Sequence, residues 1–207
     1  MAKQKAKQAD ELIEVHMKMG ILQTIAKSIY SGAQGKIREA VANSIDNQAH
    51  NFIIYLDRTT RTVSLFDDGS GISKEKFLKI FDNLGYGLLK DRKEAMSYFG
   101  LGLMSVIRLG NLATIYSRPS GEKEIWKYSI EAKKIFDEKN ESKDISFMAE
   151  CITPLLSDLS SRNVSSQLTD RKIKNVLGDF PYSFTEIIIE DILEEDFELL
   201  SSSYFQE

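Results

Sequence analysis

Cysteine is almost missing: Cys151 stands alone in 207 residues, which excludes an internal disulfide and a cysteine-based zinc cluster. Histidine is as scarce, and His16 and His50 add little toward a metal site. No apolar run approaches the roughly 20 residues that cross a bilayer. The opening, MAKQKAKQADELIEV, follows its basic residues with neither an apolar stretch nor a cleavage site, so secretion is not expected. A reducing, cytoplasmic setting away from membranes is the expectation. Charge of one sign is also lacking: 27 basic against 31 acidic residues leave −4, so no overall positive field argues for non-specific nucleic-acid binding. What the chain does have is 42% hydrophobic residues, enough for one substantial core.

The pattern along the chain predicts alternating helices and strands. Leu22, Ile25, Ala26 and Ile29 repeat at helical spacing, predicting an amphipathic helix from Glu11 to Tyr30. A second helix is predicted from Gln34 to Gln48, with Ile37, Val41 and Ile45 on its apolar side. Residues 51–57 and 61–67 read as a hairpin. Asp67 to Ser73 (DDGSGIS) breaks the strand pattern, and Ser73 caps a short helix through Phe81. Residues 83–97 read as a mobile loop. Gly100 and Gly102 open an apolar helical run to Leu109, and Leu112 to Arg118 with Glu124 to Ala132 read as two more strands. Residues 137–180 lack a clear strand and read as an insertion with helical pieces, notably Thr169 to Leu177. FTEIII, from Phe184 to Ile189, is a strong strand signal. No Lys or Arg follows Lys174, so the segment after Ile189 reads as a solvated acidic helix or tail, set apart at 192–207 from a domain spanning 1–191.

Several groups of residues carry chemistry. Glu39, Asn43 and Asp46 lie at i, i+4 and i+7, within about 60° of one another on a helix. A carboxylate there can orient or deprotonate a water, and an amide oxygen is a hard ligand suited to Mg²⁺. Against this stands an ordinary helix with a polar outside. Asp67 sits where a strand ends, and Gly69 and Gly71 let backbone approach a flat ligand. An acceptor at that point suits an exocyclic amine such as that of adenine, because leaving it buried and unpaired costs about 1–3 kcal/mol. The alternative is a plain turn. Gly100, Leu101, Gly102 and Ser105 precede or open a helix whose unpaired N–H groups suit phosphate, or else the glycines serve close packing. Neither a P-loop nor a Rossmann fingerprint is present. Thr185 leads a strand from which its hydroxyl can reach a ligand beside Asp67.

The order of these elements is more informative than any one of them. Glu39-x-x-x-Asn43-x-x-Asp46, Asp67-x-Gly69-x-Gly71-Ile72, a loop, Gly100-x-Gly102-x-x-Ser105 and a late strand with Thr185 together resemble the four motifs of the GHKL ATPases. That family includes gyrase B, the ninety-kilodalton heat-shock chaperone, histidine kinases and MutL. The likeness spans residues 21–190 and looks nearest to the chaperone, MutL and MORC branch, because histidine kinases usually carry a basic residue in place of Asp46 and no phosphoacceptor box surrounds His16 or His50.

The resemblance implies the Bergerat fold: an α/β two-layer sandwich with a mixed, mainly antiparallel sheet covered by helices on one face. It implies binding of ATP or ADP with Mg²⁺ and slow hydrolysis. Glu39 would activate water, Asn43 would hold Mg²⁺, Asp67 and Thr185 would receive adenine, and Asp46 would line the pocket. Gly100, Leu101, Gly102 and Ser105 would bind phosphates. Residues 83–99 would be a lid with Lys90 on phosphate, and residues 1–20 a strap for ATP-dependent homodimerisation. The chain departs from the family pattern at Asn47, usually a small alanine, and at Phe184, often glycine. Residues after 190 do not resemble the second domain that supplies a lysine to the γ-phosphate in gyrase B and MutL. A nucleotide-binding regulatory module with little turnover is therefore the alternative to an ATPase.

Overall fold

The computed structural model describes residues 11–15, 32–83, 101–136, 145–152 and 181–202. Its strands are β1 (Glu11–Val15), β2 (Phe52–Asp57), β3 (Thr62–Asp67), β4 (Gly110–Arg118), β5 (Ile125–Ile130), β6 (Ile145–Ile152) and β7 (Phe184–Ile192). They form one seven-stranded sheet in the order β1-β6-β5-β4-β7-β3-β2. Each neighbouring pair among them is antiparallel. The helices are α1 (Ala33–Asp46), α2 (Lys74–Asn83), α3 (Leu101–Ile107), α4 (Ala132–Phe136) and α5 (Glu194–Ser201).

Alternation along the strands assigns two faces to the sheet. Val63 and Leu65 of β3, Ala113 and Ile115 of β4, and Ile189 of β7 join Ala33, Ile37 and Ala40 of α1, Phe77 of α2 and Met104 of α3 in the main core. Phe77 stacks on Tyr128 of β5 with ring centroids 3.7 Å apart. The opposite parity puts Phe66, Tyr116, Phe184 and Ile188 in a second buried cluster, where Phe66 and Phe184 stack at 5.7 Å. The helix-on-one-face sandwich expected from the resemblance is the fold observed. β3 is buried along its whole length, as a strand with partners on both sides and cores above and below must be.

The hairpin of β2 and β3 runs from Phe52 opposite Asp67 to Asp57 opposite Thr62. Asp57 closes its turn by accepting from the N–H groups of Thr59 (2.8 Å) and Thr60 (3.2 Å). At the far end, Asp68 accepts from the N–H groups of His50 and Asn51, both at 2.8 Å, and from Asn51 Nδ2 at 2.7 Å. Those bonds fix how the chain passes from α1 into β2.

Four expectations are corrected. Residues 11–15 form strand β1 on β6, with Glu11 opposite Ala149, and not the start of a helix; the remainder of that expected helix, residues 16–30, lies outside the described residues. The region 137–180 does contain a strand, β6, which pairs with both β5 and β1. Thr169 to Leu177 lies outside the described residues. On α1 the buried face is Ala33, Lys36, Ile37, Ala40 and Ser44, while Ile45 is 67% exposed. Small side chains let α1 approach its neighbours closely, so the β-branched stripe predicted to face inward turns partly outward.

The acidic segment is the fourth correction, because within it α5 is docked and not merely solvated. Asp196 is fully buried in an ion pair with Lys36 of α1, and Leu200 is buried as well. Arg61, at the hairpin tip, bonds Glu194 at 2.8 Å and the Ile192 carbonyl at 2.7 Å and lies over the Phe197 ring. Counting charge along this segment shows an excess of acid. It does not show that one carboxylate, beside Phe197 and Leu200, meets a buried lysine.

Candidate functional site

Beside α1 opens a cavity of about 580 Å³, walled by α1, the ends of β3 and β7, the start of α3 and one face of α2. From α1 come Asn43 and Asp46, from β3 Asp67, from the following loop Ile72, from α3 Gly102 and from β7 Thr185, all predicted from sequence. Ser44, Asn47, Leu65, Lys76, Lys79 and Ile187 also line it and were not predicted. Ser44 and Asn47 are neighbours of predicted residues on the same helix. The two lysines carried no signal beyond being polar positions of α2.

Asp67 is placed by the sheet. It sits directly opposite Thr185 in the β3–β7 register, and Thr185 sits opposite Ser117 of β4, so the three side chains form a row across three strands. Ser117 Oγ donates to the Phe184 carbonyl at 2.9 Å, lies 3.3 Å from Thr185 Oγ1 and accepts from the Ile72 N–H at 2.7 Å. Ser117 is fully buried, and nothing in the sequence singles it out within the strand from Leu112 to Arg118. Arg118 next to it bonds the Tyr182 and Pro181 carbonyls, which pins the chain entering β7 just before Thr185.

The Asp67 carboxylate is buried but incompletely served. Oδ1 accepts from the Gly69 N–H at 2.9 Å. Oδ2 has Ser44 Oγ at 3.3 Å, yet that hydroxyl already lies 2.9 Å from the Ala40 carbonyl and has a single proton to give. Burial pushes the Asp67 carboxyl up to about 6, against the opposing pull of the Gly69 and Ser44 bonds. By contrast, partial burial of Asp68 is outweighed by its bonds to Asn51 and His50, which hold it below the ordinary range. The cavity thus presents an acceptor with unused capacity at its buried end.

Gly71, with φ +74°, turns the loop against β4, where a Cβ would come within 2.8 Å of the Arg118 carbonyl carbon. The Ile72 N–H can then reach Ser117. Gly102 allows α3 to cross α1 at Glu39: a Cβ there would overlap the carboxylate and stand 2.7 Å from Glu39 Cγ. Glu39 therefore packs against a residue of the cavity wall without itself being part of the lining. Gly69 contributes its N–H to Asp67, and Gly71 shapes the loop; neither lines the cavity.

Ser105 is not brought to the cavity. Its hydroxyl is buried and donates to the Gly102 carbonyl at 2.8 Å, the usual way a helical serine satisfies itself. Lys90 and Gly100, with residues 84–99 of the expected lid, lie outside the described residues, as does the side chain of Leu101.

Asn47 uses the amide that an alanine would lack. Its Nδ2 donates to the Asn43 carbonyl at 2.7 Å and its Oδ1 accepts from Lys76 of α2. Its own carbonyl accepts from the Ser70 N–H at 2.9 Å, tying the end of α1 to the glycine loop. Among the described residues no group of three or more His, Cys, Asp or Glu is positioned to hold a metal. Of the two amides that line the cavity, Asn47 has its oxygen engaged by Lys76, and Asn43 is the hard oxygen donor that fits a Mg²⁺ ion arriving with phosphate ligands of its own.

An antiparallel sheet with helices on one face, and a cavity between them lined by the polar edge of α1 and the strand-end aspartate, define a Bergerat-type nucleotide-binding domain. Residues 30–162, more than half the chain, match the family described as histidine kinase-, DNA gyrase B-, and HSP90-like ATPase, and the chain belongs to that family. No curated protein matches it closely enough to count as a relative. No helix among the described residues is long and apolar enough to cross a membrane.

Proposed function

We propose that this domain binds Mg²⁺-ATP in the α1 cavity and hydrolyses it slowly, within the chaperone, MutL and MORC branch of the family. The observation that carries the reading is the buried Asp67 oxygen, opposite Thr185 in the sheet, whose donor among the described residues is the Ser44 hydroxyl at 3.3 Å that also lies against the Ala40 carbonyl; an adenine amine would give it a hydrogen bond of its own. Asn43, from the α1 face that also presents Asp46, would hold the metal, which would neutralise phosphate charge when bound. Glu39, seated against Gly102, takes a proton from the water that attacks the γ-phosphate, and ADP leaves. Gly102 and its neighbours Gly100 and Leu101 meet the phosphates through backbone N–H groups. Closure of residues 83–99 and homodimerisation through residues 1–20 complete the cycle in this reading, in a cytoplasmic setting.

Single-turnover hydrolysis by wild type and Glu39→Ala tests it. The variant is expected to bind ATP yet lose about 10²-fold or more in rate, the size of a general-base loss. Equal residual rates would replace the ATPase with a nucleotide-binding module that scarcely turns over.

A further inference from the structure

The cavity's unexplained charge is on α2. Lys76 and Lys79 lie on the face that also brings Ile80 to the cavity, and both residues belong to its wall although they are exposed. An exposed lysine normally stays solvated, because fixing its long side chain costs rotamer freedom. Lys76 is fixed: its amine donates to Asn47 Oδ1, and Asn47 is itself held through Nδ2 to the last turn of α1. Lys79, one turn further along α2, makes no hydrogen bond or ion pair among the described residues. The remaining charged groups of the lining, Asp46 and Asp67, are both acidic. A ligand that donates to Asp67 and carries negative charge elsewhere would satisfy both sets at once.

We propose that Lys76 and Lys79 contact the phosphate groups of the bound nucleotide, and that Asn47 is the positioning residue that aims Lys76. The assignment rests on the nucleotide reading above and extends it by making α2 a source of phosphate charge. It also accounts for asparagine at a position where the family usually has alanine.

Titration calorimetry of the full chain with ATP, ADP, AMP and adenosine, in chelator without Mg²⁺, tests the assignment. Lys76→Ala and Lys79→Ala are each expected to weaken ATP about tenfold, a size typical of one charge-assisted contact. The loss should shrink through ADP and AMP and vanish for adenosine. Lys→Arg at either position should retain most of the affinity, and added salt should weaken ATP binding more steeply in wild type than in the double alanine variant. Asn47→Ala should weaken ATP about threefold by freeing Lys76, and should add nothing when Lys76 is already alanine. A double variant that binds ATP like wild type, or that loses adenosine as strongly as ATP, overturns the assignment while leaving nucleotide binding intact. Wild type that binds none of the four ligands overturns the nucleotide reading, and the assignment falls with it.

Discussion

Helix α1 meets two buried carboxylates, and the fold treats them differently. Near its first turns Lys36 ion-pairs with Asp196 of α5, both side chains almost wholly out of water. Near its last turns only the Ser44 hydroxyl, 3.3 Å away, approaches Asp67 from the same helix. Burial raises both carboxyl groups above their ordinary range. At the α5 end the Lys36 charge offsets this in part, bonding Oδ2 while Oδ1 stays buried without a hydrogen-bond partner among the described residues, and the result is a clamp. At the cavity end the deficit stays open for a ligand to relieve. Two burials of one residue type, one met by a buried cation and one met by neutral donors at a cavity wall, separate the part of α1 that holds the fold together from the part that is available for chemistry.

The largest effect expected from breaking the comparison is at the clamp. Lys36→Met leaves Asp196 buried without its cation and should cost about 3–5 kcal/mol, read as a lower urea midpoint. Pairing it with Asp196→Leu should restore much of that loss, since a well-packed apolar pair can replace an ion pair. If the single variant unfolds at the wild-type midpoint, the clamp is not structural.

A smaller effect is expected midway along α1. Gly102→Ala pushes a methyl into Glu39, so either α3 shifts or the carboxylate turns away. Such overpacking costs about 1–3 kcal/mol, and hydrolysis should fall more than ATP affinity does. Loss of affinity and rate in equal proportion would mean that Gly102 serves only binding. The smallest effect is expected at Ser105→Ala, which removes one bond to the Gly102 carbonyl: about 1 kcal/mol or less of stability and no change in ATP affinity. A marked loss of affinity would return Ser105 to the phosphate site.

What was legible in the sequence was local. The helix α1, the β2–β3 hairpin and the strand with Thr185 each carry their period in consecutive residues, and the motif order brought Asn43, Asp46, Asp67, Ile72, Gly102 and Thr185 to one cavity. What was not legible depends on distant partners. β1 is a strand because β6 lies beside it, and Glu11 and Ala149 are far apart in the chain. Periodicity told which α1 residues share a face, but not that Ala33, Ala40 and Ser44 would be buried while Ile45 turned outward. The burial of Asp196 required Lys36, and the place of Lys76 required Asn47; neither pairing has a signature in spacing.

The burial of Asp67 also has a pH signature. Unfolded, the carboxyl titrates near 3.8; folded, near 6. The folded state therefore holds the proton more tightly. The stability this contributes is complete below the unfolded value and is lost as pH rises through the folded one, a cost of about 3 kcal/mol by pH 7. Asp67→Asn cannot ionise, so it should be at least as stable as wild type at pH 7, with the difference shrinking toward pH 4.

The decisive measurement is ATP affinity by calorimetry for wild type and Asp67→Asn at pH 7, alongside their urea unfolding. The account predicts a variant that folds as well or better and binds ATP at least about tenfold more weakly. Equal affinity in the two proteins would contradict it, because the buried oxygen would then have no part in holding the nucleotide.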